Sequence, residues 1–228
     1  MHDDGTYTPP AFTTANLGAS LLTKGYTFGG YSETLPSVGF NGDSFTTVPG
    51  QNQYVRKHNP WVNWQGTSAH GLPSAINTPF TSFPSNYASL PTLSFVVPNE
   101  QNDMHDGSIS QGDTWLNTNL SGYATLAKTH NSLLIVTWDE DDGSATNRIA
   151  TILTGAKVTT GQFSETSNHY NVLRTVEDMY GLPYAGASAN AAPINNVFAA
   201  PEPSSLVLGG LGLIGLLAHA WQRRGTLG

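Results

Sequence analysis

The sequence predicts an α/β fold with a mainly parallel sheet flanked by helices. Three observations carry that expectation. Leu133–Trp138 reads as a strand buried on both faces of a parallel sheet, and Leu93–Val97 as a second strand. Segments with apolar residues at helical spacing alternate with them, as in βαβ units. Polar residues with ligand chemistry follow directly on the strands, where open α/β sheets place their sites.

Taken in order, Thr13–Lys24 sets Leu17, Leu21 and Leu22 at helical spacing, and Lys24-Gly25 supplies a favourable charge and a helix stop. Tyr26–Tyr31 reads as a short strand. From Ser32 to Pro91 the chain is turn-rich, with seven prolines, which suits either a surface loop layer or a substrate-binding cap. Within it, Tyr54, Trp61 and Trp64 beside Arg56, Lys57 and His58 form a mixed apolar and cationic cluster. That cluster suits gripping an anion, or packing aromatics onto the core.

Leu93–Val97 is the next strand, ended by Pro98-Asn99. Asp113–His130 carries Leu116, Leu120, Tyr123, Ala124 and Ala127 at helical period, as the crossover to a strand over Ser132–Trp138. Ile149–Leu153 is a further strand. Ser167–Tyr180 is a helix with Val172, Leu173, Val176, Met179 and Tyr180 on one face, stopped by Gly181 and Pro183. The expected domain therefore spans residues 1–183. The Ala, Asn and Pro composition of 184–200 reads as a linker.

Composition narrows the function. With 228 residues the chain can bury one sizeable core, and one domain with extensions fits the usual ~100–200 residues per domain. A net charge of -7 argues against a nucleic-acid footprint, which needs clustered Lys and Arg. The absence of Cys excludes disulfides and thiolate metal sites. The start, Met1-His2-Asp3-Asp4-Gly5-Thr6, has neither the basic nor the apolar region of a signal peptide. From Ser204 to Trp221 the chain is apolar or small apart from His219, and Arg223-Arg224 follows. At ~1.5 Å per residue this makes roughly 27 Å of helix, enough for a transmembrane segment in a thin bilayer, with the arginines on the cytoplasmic side.

The chemistry concentrates at strand ends. Four consecutive carboxylates, Asp139-Glu140-Asp141-Asp142, end the apolar run and are followed by Gly143. Adjacent anions repel, and a bound cation or raised pKa values relieve the repulsion; a solvated Asp-Gly turn is the plainer reading. His105, flanked by Asp103 and Asp106, follows Leu93–Val97, and His169 lies in the first turn of the last helix. An imidazole at such a place serves as a metal ligand, a proton carrier or a donor to phosphate, or simply caps and packs. Together these carboxylates and imidazoles suit a divalent ion, Mg, Mn, Ca or Zn.

Several blocks carry a resemblance: Arg56-Lys57-His58-Asn59-Pro60-Trp61, Pro98-Asn99 with Asn102-Asp103-Met104-His105-Asp106, Gly112-Asp113-Thr114-Trp115-Leu116, Thr137-Trp138-Asp139-Glu140, and His169-Tyr170 running into Leu173–Leu182. Over roughly Gly5 to Pro183 the chain resembles the bacterial phosphoesterase family of acid phosphatases and phospholipases C. The resemblance implies an alkaline-phosphatase-like fold and metal-assisted hydrolysis of phosphate esters. It implies a divalent metal ion on Asp139 and Glu140, with His105 and His169 contacting phosphate or assisting the leaving group and Asp103 and Asp106 in support. Family members also carry, upstream, a Glu-Asn pair completing the metal site and a Ser or Thr nucleophile. Neither block is found here, so the nucleophile is unassigned and the chain looks like the carboxyl-terminal portion of a family domain.

The tail 201–228, with Pro201-Glu202-Pro203, an apolar stretch and Arg223-Arg224, resembles a PEP-CTERM sorting signal read by an exosortase-type enzyme. An ordinary tail anchor is the alternative. The expectation is a phosphate-ester hydrolase that is exported and tethered to the inner membrane, then periplasmic or at the cell surface. The alternative is a catalytically incompetent, surface-anchored binding or matrix protein.

Overall fold

The computed structural model describes residues 12–199 apart from 142 and 145. In chain order the elements are α1 (Leu17–Thr23), β1 (Phe28–Ser32), β2 (Ser44–Phe45), β3 (Tyr54–Val55), β4 (Asn77–Pro79), β5 (Leu93–Val97), α2 (Ile109–Ala127), β6 (Leu134–Thr137), β7 (Thr151–Thr154) and α3 (His169–Tyr180). A three-stranded parallel sheet in the order β4-β1-β5 organises the fold. Its middle strand pairs Gly30 with both Asn77 and Phe95, and is buried at all five positions.

The turn-rich segment is not only a surface layer. It contributes Trp61, Val62 and Leu72 to a core shared with Leu21, Phe28 and Leu182. Trp61 lies across the middle strand so closely that a Cβ on Gly30 would stand 2.2 Å from its Cε2. Glycine is therefore required there. The indole nitrogen is satisfied by Asn77 Oδ1 at 2.9 Å, so a large aromatic is buried with its polar atom paired. A sheet this narrow has few side chains of its own to cover it, and the loop aromatics do so.

Each helix starts on a polar cap. Asn16 Oδ1 accepts from the Ala19 amide, and Ser108 with Gln111 and Asn168 with Asn171 form capping boxes on α2 and α3. Gly181, with φ of 58°, ends α3 in the left-handed conformation that glycine adopts without penalty. Lys24 at the end of α1 donates to the carbonyls of Tyr180 and Gly181, so a cation meets the carbonyl end of α3.

One expectation about the sheet is corrected. β6 was expected inside the parallel sheet and buried on both faces; it pairs antiparallel with β7, and its positions are half-buried or exposed. A four-residue apolar run has no periodicity that separates a sheet interior from a half-covered hairpin partner. The α2 crossover therefore leads to a separate two-stranded unit.

The stretch expected as a linker is packed over 184–199. Ala185 N and Ser188 Oγ donate to the carboxylate of the buried Glu177, Ile194 N donates to Thr175 Oγ1, and Ile194 and Val197 are buried. Its small residues let the backbone approach α3 closely, and composition alone does not register that. The expected membrane helix and sorting signal lie outside the described residues. Among the described residues no helix is long and apolar enough to cross a membrane.

Candidate active site

Because β1 and β5 run parallel and in register at Ser32 and Val97, their carboxyl ends open side by side. The chain beyond β1 places Glu33 between the two strands. Its amide donates to Val97 O at 2.9 Å, and its carboxylate accepts from the Asn99 amide at 2.9 Å and from Asn102 Nδ2 at 3.0 Å. Asn99 Nδ2 donates to Thr34 Oγ1, while Asn99 Oδ1 accepts from the amides of Gln101 and Asn102. The loop after β5 is thus wound around Asn99.

The winding is tight. Thr34 and Met104 hold positive φ of 61° and 78°, which side chains rarely adopt outside constrained sites. At Gly107 a Cβ would lie 1.8 Å from the Gln101 carbonyl oxygen, so the loop closes only on glycine. The result presents Glu100, Asp103, His105 and Asp106 within one short turn.

A second wall comes from the 3-10 turn Arg56–His58 that follows β3. Buried Arg56 spends its guanidinium on Asn41 O at 2.7 Å and on Asp43 at 2.8 Å, and Ser32 Oγ donates to Asn59 Oδ1. Tyr54 and Trp61 are core residues. Of the mixed cluster expected to grip an anion or pack, these three residues pack. His58 instead faces the loop after β5, and the Glu100 amide donates to Gln53 O, joining the two walls.

Two imidazoles meet there, with ring centroids 5.5 Å apart. His58 Nδ1 pairs with Asp103 Oδ2 at 3.0 Å, and His105 Nδ1 pairs with Asp106 Oδ1 at 2.9 Å. The other oxygen of Asp103 accepts from the His105 amide, so one carboxylate ties both histidines. With each Nδ1 held by a carboxylate, Nε2 is the free nitrogen of each ring. Glu100 lies beside them, only 3% exposed, and its Oε2 has no hydrogen-bond partner.

Burial pushes the Glu100 carboxyl above its ordinary pKa, opposed by the nearby His105 and His58. The hydrogen bond that His105 donates to Asp106 is the main cause of its raised pKa. One ligand atom from each of His58, Glu100 and His105 lies within 4.8 Å of the others. Among the described residues this is the only such group of three or more metal-ligating side chains.

The remaining three expected site residues, His169, Asp139 and Glu140, lie outside this group. His169 Nε2 donates to the backbone carbonyl of Asp139 at 2.8 Å, so it holds the strand end and does not touch the carboxylate. Asp139 and Glu140 are exposed and stand outside the His58, Glu100 and His105 group. Asp141 is turn geometry: Ser144, Gly143 N and Arg148 N all donate to its carboxylate, which holds its pKa below the ordinary value.

For the divalent ion that the resemblance implies, Asp139 and Glu140 offer oxygen donors of the kind a hard cation takes. Sequence reasoning singled out His105, Asp103 and Asp106. It noticed His58 only within the loop cluster, and it passed over Glu100. The signal for Glu100 was available, since a carboxylate three residues past Val97 occupies the carboxyl end of a parallel strand.

Comparisons with known proteins show the family. Residues 1–183 match the model of the Phosphoesterase family, and residues 199–224 match the PEP-CTERM protein-sorting motif. A phosphatidylinositol-3-phosphatase of Mycobacterium tuberculosis is 54% identical over 185 residues, covering 80% of this chain and 58% of that protein. A phosphate-repressible acid phosphatase of Penicillium chrysogenum is 33% identical, covering 72% of this chain and 42% of its own length. An acid phosphatase of Aspergillus fumigatus is 34% identical over 74% of this chain and 40% of its own. The chain thus spans about half the length of the curated relatives it matches. No solved structure matches it at a significant level.

Proposed function

Since the chain belongs to the phosphoesterase family, we propose that it serves the hydrolysis of a phosphate monoester and that His58 and His105 receive the phosphoryl group. The observation that carries this reading is the pair of imidazoles, each tethered at Nδ1 by an aspartate and each with Nε2 free, at the open end of the parallel sheet. Protonated rings so held donate to phosphate oxygens, and the raised pKa of His105 favours that form. His105 would then stabilise charge on the phosphoryl oxygens, or give its Nε2 proton to the departing alkoxide. His58 would supply the second donor.

Asp139 and Glu140 would hold the divalent ion, which when bound neutralises phosphate charge. In this proposal His169 acts by fixing the Asp139 backbone that it already bonds, with Nδ1 left for substrate. Similarity to the mycobacterial phosphatidylinositol-3-phosphatase supports a phosphoinositide headgroup as one substrate to try. The sorting motif supports export, processing by an exosortase-type enzyme and membrane attachment through residues 204–221.

A second reading, that of a surface-anchored phosphate-binding protein, is favoured by one observation. Among the described residues neither imidazole bonds a Ser or Thr hydroxyl that could serve as nucleophile. Both readings are tested together by measuring inorganic phosphate binding and phosphate release from an aryl phosphate and a soluble phosphatidylinositol 3-phosphate, with Mg or Mn added. Turnover lost in His105→Ala supports the hydrolase. Phosphate binding without turnover supports the binding protein, and absence of both overturns the site.

A further inference from the structure

We infer that His58, Glu100 and His105 form a binding site for a zinc-class transition-metal ion, separate from the hard-cation pair at Asp139 and Glu140. Three independent features point to it. The donor set, two imidazoles and one carboxylate, is the kind that borderline ions select over magnesium or calcium. Glu100 is buried at 3% exposure, its Oε2 has no hydrogen-bond partner, and one of its carboxylate oxygens lies within 4.8 Å of a ring nitrogen of each histidine. An unpaired buried carboxylate oxygen is costly, and a cation there removes the cost.

The third feature is the outer shell. Metal-bound histidines normally donate their other ring nitrogen to a carboxylate, which fixes the tautomer and aims the lone pair. Asp103 does this for His58 and Asp106 does it for His105, both at Nδ1. Ligands at ~2.0–2.2 Å from a tetrahedral ion stand roughly 3.3–3.6 Å apart, so closing a group whose atoms lie within 4.8 Å of one another needs at most about 1.5 Å of side-chain motion. His105 is half-exposed at 48% and has room to make it. A fourth position would stay open to solvent, the arrangement of three protein ligands plus water.

This site shares its two rings with the phosphate site proposed above, so zinc is a competing occupant there. Zinc takes the Nε2 lone pairs, whereas phosphate takes Nε2 protons, so the two ligands exclude each other at these rings.

The test is titration of the purified chain with zinc against a chromophoric chelator, and with cobalt followed by visible absorption. Wild type should bind one zinc that Glu100→Gln and His105→Ala weaken at least ~10-fold, while Asp139→Asn binds as wild type. Cobalt should give the intense visible bands of a low-coordinate nitrogen and oxygen site, absent in His105→Ala. Glu100→Gln is isosteric, and its far-UV spectrum and thermal midpoint will verify that it folds. No stoichiometric zinc, equal binding by Glu100→Gln and His105→Ala, or a loss in Asp139→Asn would each overturn the inference. Phosphate binding measured in zinc-free buffer fails or survives independently of these outcomes.

Discussion

Asp103→Asn is the substitution that separates a built site from a chance meeting of polar side chains. Asp103 holds His58 Nδ1 at 3.0 Å through one oxygen and the His105 amide at 2.9 Å through the other. Both partners of the ring contact are largely enclosed, with side-chain exposures of 20% and 16%. An amide keeps the volume but puts an NH2 or a weaker acceptor against Nδ1, so the tautomer that leaves Nε2 free is no longer enforced. Outer-shell substitutions of this kind cost ~10–100-fold in metal affinity, which is about 1.4–2.7 kcal/mol.

Asp106 holds His105 in the same way, yet that pair is 48% and 41% exposed. Water screens it, and its worth falls to about 0.2–1 kcal/mol, or less than about sixfold. The expected order in the zinc titration is therefore wild type, then Asp106→Asn, then Asp103→Asn, with far-UV spectra unchanged. Equal effects of the two variants, or an Asp103→Asn variant that binds as wild type, would refute the assignment of the enclosed carboxylate as the organiser.

Three further outcomes are expected. Gly107→Ala should abolish zinc and phosphate binding together and cost ~1–3 kcal/mol of stability by urea unfolding, because its Cβ meets Gln101 O at 1.8 Å and the loop must open. Glu177→Ala should cost about 3 kcal/mol and expose 184–199 to limited proteolysis, since the Ala185 amide loses its 2.8 Å acceptor in a buried place; unchanged cleavage would restore the linker reading. His169→Ala should weaken manganese binding at Asp139 and Glu140, releasing the Asp139 carbonyl from its 2.8 Å bond, and leave zinc stoichiometry as in wild type.

What the sequence made legible follows the range of the interactions involved. β5 lies where its apolar run does, Leu93–Val97, and α3 ends at Gly181, because strand patterning and helix stops are local signals. His105 with Asp103 and Asp106 was visible for the same reason: three ligand-type residues sit within four positions of one loop. His58 and Glu100 were not assigned, because 42 residues separate them and their loops meet only through tertiary contacts, the Glu100 amide on Gln53 O and the His58 ring on Asp103. The pairing of β6 was misjudged through the same limit, since an antiparallel partner 17 residues on leaves no mark on the strand's own composition.

The two donor sets differ in a way that bears on how the protein could use more than one ion. Asp139 and Glu140 are exposed, so an ion held on their carboxylates would keep most of its water. Under the proposal for Asp139 and Glu140 the site would be weak, exchangeable and suited to magnesium or manganese, which dehydrate reluctantly. The His58, Glu100 and His105 set is partly buried and nitrogen-rich, carries its own outer shell, and favours an ion that binds imidazole. Magnesium should therefore leave the histidines free to meet phosphate, whereas zinc should withdraw them. The same chain is then expected to bind phosphate in magnesium and to release it as zinc is added. Retention of phosphate at saturating zinc would mean that the imidazoles are not the phosphate donors.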